Sequence, residues 1–136
     1  MSTVEITHLS KNYGNTVALS PTSFRVEEGE FFSLLGPSGC GKSTTLRMIA
    51  GFVPPTSGSI LIGGEDVTFL PPERRSIGIV FQNYAIFPHM NVFDNIAFGL
   101  LMRKVPKLEI AKRVMAALDQ VGLTGYHDRF QRELSG

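Results

Sequence analysis

Residues 36–44 read GPSGCGKST, and no other stretch limits the possible folds as strongly. Two glycines, a lysine and a hydroxyl residue stand at the spacing G-x-x-x-x-G-K-[ST] of a phosphate-cradling loop. Gly36 and Gly41 let the backbone wrap an anion without side-chain clashes. Amides of Ser38, Gly39, Cys40 and Gly41, with the start of the helix that follows, turn partial positive charge toward phosphate. Lys42 is expected to reach the β- and γ-phosphates, Ser43 to hold Mg²⁺ and Thr44 to serve the α-phosphate. FFSLL (31–35) precedes the loop as a continuous apolar run, which predicts a strand buried on both faces. KSTTLRMIAG follows, with Leu46, Ile49 and Ala50 at helical spacing and Gly51 just past the end.

The 136 residues suit one domain, and 43% hydrophobic with 18% charged residues makes the chain globular rather than disordered. A net charge of +1 supplies no electrostatic argument for nucleic acid or an anionic membrane. The single Cys40 excludes an internal disulfide framework. MSTVEITHLSK lacks the apolar centre of a signal peptide. VFDNIAFGLLM, the longest apolar stretch, is interrupted by Asp94 and Asn95 and is too short for a bilayer. The expectation is a soluble, cytoplasmic chain.

Val4–Ser10 and Thr16–Val26 read as strands, with Pro21 marking an irregularity in the second. SILIGGEDV holds a strand and a Gly63-Gly64 hairpin signal. Ser76–Phe81 reads as a further strand. The pattern changes after Pro88. Asn91 can cap a helix from Val92, with Asp94 in its favourable first turn. Pro106 suits the first turn of another. Leu108, Ala111, Met115, Leu118 and Val121 then recur at three- and four-residue steps until Gly122. Residues 1–86 therefore form a strand-rich core, and 87–136 a helical subdomain. Arg74, Arg75, Arg103, Lys104 and Lys107 read as solvated cations.

A phosphate loop does not separate the proteins that carry one; residues elsewhere do. Tyr13 stands 23 residues before Gly36. FQNYAIFPHMNVFDNIAFGL (81–100) follows at a fitting distance, and LSG (134–136) closes the chain. Together these resemble the nucleotide-binding subunit of ATP-binding cassette (ABC) transporters, most closely the importers of polyamines, sugars or iron. The resemblance runs from about Val4 to Gly136. It implies an α/β P-loop NTPase fold of the ABC type, incomplete here. It implies ATP with Mg²⁺, and Tyr13 as the aromatic that stacks on adenine.

By the same resemblance Gln82 is the glutamine that offers oxygen to Mg²⁺ and a donor to the attacking water, so Lys42 and Gln82 are the catalytic residues in this chain. Tyr84, Phe87, His89 and Met90 are candidates for a groove that receives a short helix from a membrane partner. Ser135 and Gly136 look like the start of a signature, LSGGQ, that caps ATP held by the opposite subunit of a head-to-tail dimer. The implied partners are a second ATP-binding subunit, two transmembrane permease subunits and, indirectly, a solute-binding protein, with the dimer at the inner face of the cell membrane. The family's Asp-Glu strand and switch histidine are expected past Gly136. The chain is thus expected to be truncated within the signature, and to bind nucleotide without hydrolysing it.

Cys40 lies inside the loop beside a helix start, so it is a candidate for alkylation blocked by nucleotide. The competing class is a P-loop GTPase switch or small-molecule kinase. DQVG (119–122) matches D-x-x-G but ends an amphipathic helix, N-K-x-D is absent, and no arginine-rich lid is present.

Overall fold

A computed structural model describes residues 2–82 and 84–134. The chain divides into two compact units, Met1–Ile79 and Val80–Gly136.

The first unit is built on a hairpin of β1 (Val4–Tyr13) and β2 (Thr16–Val26). β3 (Ser57–Ile62) pairs with the other edge of β1, and β4 (Glu65–Asp66) follows β3 through Gly63-Gly64. The result is an antiparallel sheet in the order β2-β1-β3-β4. Alternation along β1 is broken once. Ile6 faces Phe24 and Leu9 faces Thr22, so β1 carries an extra residue, and His8 takes a positive φ of 46° there. That bulge is why Ile6 and Leu9, three apart, both point inward. β2 carries its own extra residue between Leu19 and Thr22, where Pro21 has no N–H to give a ladder.

Helix α1 (Lys42–Ile49) packs Met48 against this sheet, completing a core of Ile6, Leu9, Leu19, Met48, Ile60 and Val67. The C-terminal end of α1 is closed by Arg75, which corrects the reading of that residue as a solvated cation. Arg75 is only 4% exposed. Its guanidinium donates to the carbonyls of Met48 (2.6 Å), Ile49 (2.7 Å), Leu70 (2.8 Å) and Thr68 (3.0 Å). The last helical carbonyls have no partner within the helix, and a cation there is favoured by the helix dipole. Burial holds the guanidinium below its ordinary pKa.

Two expected strands are not formed. Phe31–Leu35 and Ser76–Phe81 run without ladder pairing among the described residues, and Phe31 (94%), Leu35 (91%) and Val80 (90%) are exposed. An apolar run has strand potential but becomes a strand only when a neighbour accepts and donates its hydrogen bonds.

The second unit holds α2 (Val92–Met102) and α3 (Lys107–Gln120). Asn91 caps α2 as expected, its side chain accepting from the Asp94 amide at 2.7 Å. Pro106 stands at the cap of α3, one position ahead of the first turn. The buried stripe of α3 is Ile110, Val114 and Leu118, packed with Ala97. It is displaced from the stripe read in the sequence: Leu108, Ala111, Met115 and Val121 are exposed. α3 has apolar residues on two adjoining faces, and packing against α2 selects one of them.

Candidate functional site

The loop that precedes α1 ends at Gly41, whose φ of 93° lies in the left-handed region. A side chain there would also meet the Ala18 carbonyl and the Leu19 Cδ1, each at 2.8 Å. Gly41 is therefore required twice, by its backbone angle and by the strand behind it. Gly41→Ala should lower stability by about 2–3 kcal/mol, read as a fall in the urea midpoint at constant slope. An unchanged midpoint would mean that β2 yields to the added methyl.

No side chain caps α1, and its first turn carries no acidic residue. The Thr45 amide closes onto the Gly41 carbonyl at 2.8 Å, and Cys40 N–H reaches the Pro37 carbonyl at 3.4 Å. Among the described residues, the amides of Gly39, Gly41, Lys42, Ser43 and Thr44 have no acceptor within hydrogen-bond reach. Five donors at one helix start give a concentrated positive potential. The Lys42 ammonium folds back across the loop, donating to the carbonyls of Gly36 (2.7 Å) and Pro37 (2.6 Å) and lying 3.3 Å from Cys40 Sγ. Gly36 permits this closeness, since a Cβ on it would stand 2.7 Å from that sulfur. Ser43 is exposed and Thr44 half-buried. The buried Thr45, which the motif does not include, hydrogen-bonds the Gly41 carbonyl at 2.9 Å and steadies the first turn.

Cys40 is exposed within this loop. Alkylation of Cys40 should slow at least several-fold when MgATP is bound, because any occupant of the loop covers the sulfur beside Lys42. Equal labelling rates with and without nucleotide would remove Cys40 from the site.

Tyr13 ends β1 and pairs with Thr16 across a two-residue turn; its ring is 53% exposed, with Lys11 Nζ 5.0 Å from the centroid. Ala18, which backs onto Gly41, lies two residues along β2 from Thr16. The hairpin end bearing Tyr13 is thus within about 7 Å of strand travel from the loop's contact with β2. Beside Lys42 and Ser43 lies a groove of about 440 Å³, lined by apolar residues including Phe24, Phe32 and Leu46. Phe24 and Phe32 stack at 4.8 Å.

The remaining candidates belong to the second unit. Gln82 is exposed in a turn closed by Tyr84 N–H on the Phe81 carbonyl at 2.9 Å. Tyr84 (φ 61°) and Ala85 (φ 49°) both take left-handed angles, and Tyr84 is 76% exposed. Tyr84 and Phe87 line a groove of about 350 Å³ with Ile86, Ile96 and Leu134. His89 borders a different hollow of about 590 Å³, with Pro88, Phe130 and Arg132. Met90 lines neither; its carbonyl accepts from Asn95 at 3.2 Å. Ser135 and Gly136 lie outside the described residues. Sequence reading passed over Arg75 and Asn95. Asn95 left a faint signal, standing four residues after the capping Asn91 and so on the same side of the helix.

A glycine loop at an uncapped helix start, with several amides that lack an acceptor among the described residues and Lys42 next to them, suits an anion with many oxygens, such as the phosphate chain of a nucleotide. That defines the class: a P-loop nucleotide-binding domain. Comparison with known families narrows it. The chain belongs to the ABC transporter family, whose model matches residues 19–136. It therefore carries an ATP-binding domain of that family.

Three relatives share the name spermidine/putrescine import ATP-binding protein PotA. The one from Bacteroides thetaiotaomicron is 51% identical over 135 residues, 99% of this chain and 29% of the relative. That from Acidothermus cellulolyticus is 56% identical over 127 residues, 93% of this chain and 33% of the relative. That from Nitrosomonas eutropha is 52% identical over 136 residues, all of this chain and 38% of the relative. The chain thus spans roughly a third of the length of the curated relatives it matches. Among the described residues no helix is long and apolar enough to cross a membrane.

Proposed function

We propose that this chain forms the nucleotide-holding part of an ATPase subunit that powers polyamine import. The uncapped start of α1, with five unengaged amides behind the Lys42 ammonium, is the observation that carries the nucleotide reading. The names of relatives at 51–56% identity carry the polyamine reading. The GTPase or kinase alternative finds no support in the family match.

In this reading Tyr13 stacks on adenine, a contact worth on the order of 1 kcal/mol. Amides of Ser38, Gly39, Cys40 and Gly41 hold phosphate oxygens, and Thr44 serves the α-phosphate. Lys42 exchanges its two carbonyl acceptors for the β- and γ-phosphates. Mg²⁺ accepts hard oxygen ligands and keeps several waters, so it needs few protein groups. The exposed Ser43 hydroxyl would fit that demand, and Gln82 is the residue that the family resemblance would add as a further oxygen donor. An ion held there would supply charge neutralisation on the phosphates.

Tyr84 and Phe87, which share a groove, receive a permease helix, with His89 and Met90 of the same segment as further contacts. Ser135 and Gly136 cap the nucleotide of a second subunit. The assembly of two such subunits with two permease subunits works at the inner face of the membrane, supplied by a solute-binding protein. Residues 1–86 act as the nucleotide core and 87–136 as the helical subdomain. The chain by itself binds MgATP without turning it over.

The test is spermidine and putrescine uptake by cells lacking their own import, supplied with the full-length subunit and its cognate permease. Uptake that disappears with Lys42→Ala supports the reading. Undiminished uptake by that variant, or uptake of another solute only, refutes it. ATP turnover by the chain as given, abolished in Lys42→Ala, would overturn the binding-only part.

A further inference from the structure

The chain around the start of α2 is held by several hydrogen bonds from one half-buried residue, Asn95. Asn95 Oδ1 accepts from the Phe87 amide at 2.9 Å, and Asn95 Nδ2 donates to the carbonyls of Asn91 (2.9 Å), Phe87 (3.1 Å) and Met90 (3.2 Å). A carboxamide that both donates and accepts satisfies the two ends of Phe87 at once, which neither a carboxylate nor an ammonium can do. The segment 87–91 is thereby fixed to the first turn of α2.

The same helix start grips a second segment. The Val92 amide donates to the Arg129 carbonyl at 2.8 Å, and the Phe93 amide to the His127 carbonyl at 2.9 Å. Asn91 and Phe130 form an isolated antiparallel bridge. With Asn91 Oδ1 on Asp94, every free amide of the first turn of α2 is taken, two by residues 127–129 and two by Asn91. The stretch 127–134 leads directly into Ser135 and Gly136. One helix terminus therefore joins the segment carrying Phe87, His89 and Met90 to the segment that precedes the signature.

We propose that Asn95 is a positioning residue that makes these two segments one body. Force applied by a partner at Tyr84–Met90 is passed through the Asn95 carboxamide and the amides of α2 to residues 127–134. This inference rests on the docking role proposed above for Tyr84, Phe87, His89 and Met90, and goes beyond it by naming the link.

The experiment uses the full-length subunit, alone and assembled with its permease, and compares wild type with Asn95→Ala and Asn95→Asp. Asp keeps an acceptor for the Phe87 amide but loses both N–H donors shared among the three carbonyls, and guards against a folding failure of the alanine variant. Hydrogen exchange at the Phe87 amide reads the link without any partner. Its protection should fall about tenfold in Asn95→Ala, as expected for a lost hydrogen bond, and less in Asn95→Asp. Permease-stimulated ATPase should fall about tenfold in both, within the usual range of coupling between sites. ATPase of the subunit alone should stay within about twofold, as these side-chain hydrogen bonds of Asn95 all go to residues 87–91.

Unchanged Phe87 protection overturns the link. Lost protection with undiminished stimulation overturns its part in coupling. Equal loss of basal and stimulated ATPase reduces Asn95 to a fold-stabilising role and also overturns the proposal. The docking reading is checked separately: if Tyr84→Ala with Phe87→Ala leaves permease association intact, docking fails whatever Asn95 does.

Discussion

Lys42→Ala is expected to weaken MgATP binding by about 1.5–3 kcal/mol, roughly a 10- to 150-fold rise in Kd. The loss is that of a charge-assisted hydrogen bond to phosphate. Its counterpart in the structure is visible: Nζ holds the Gly36 and Pro37 carbonyls at 2.7 and 2.6 Å. Those bonds are exposed, so removing them should shift stability by no more than about 1 kcal/mol. The two effects therefore separate. Isothermal titration should report the large affinity change while the urea midpoint barely moves. Lys42→Met keeps much of the stem and should behave like alanine, because the charge and its donors are what phosphate reads. An unchanged Kd in both variants would remove Lys42 from the site. A midpoint that collapses along with affinity would mean that the lysine's main duty is to hold the loop together.

Arg75→Ala should have the largest effect on stability, about 3–5 kcal/mol, because four buried or part-buried carbonyls lose the guanidinium together. Two of these, on Met48 and Ile49, end the helix whose other end is the candidate phosphate site. Among the described residues no carboxylate pairs with Arg75, so the variant leaves no stranded negative charge; the penalty is desolvated backbone. Arg75→Lys should recover only part, since one ammonium cannot span carbonyls on α1 and on the loop Thr68–Leu70 with a fork's geometry. Urea denaturation of the three proteins at one slope gives the comparison. A shift below about 1 kcal/mol for alanine would show that water reaches those carbonyls at little cost.

These two residues also mark how far the sequence can be read. The motif that proposes a role for Lys42 is legible because it is a spacing within nine residues. Arg75 is not, because its partners lie 5 to 27 positions away and an arginine before SIGIVF looks like any surface cation. The same division runs through the fold. β2 and its Pro21 irregularity, the Gly63-Gly64 hairpin and the Asn91 cap each rest on local chemistry, and each is found. The strands expected at 31–35 and 76–81 needed ladder neighbours, and the described residues supply none. The apolar stripe of α3 was misplaced because Leu108 and Met115 are as apolar as Ile110 and Val114, and only contact with Ala97 distinguishes them.

What the amino-acid order determined alone is the glycine turn at Gly41, the helix behind it and the hairpins and caps, since each depends on backbone freedom and hydrogen bonds within a few residues. Tertiary structure decided the rest. It set which face of α3 is inside, how Arg75 closes α1, how Gly41 backs onto Ala18, and how Asn95 ties 87–91 to the start of α2. In each of these a group's free energy depends on what surrounds it in space, and no local pattern carries that information.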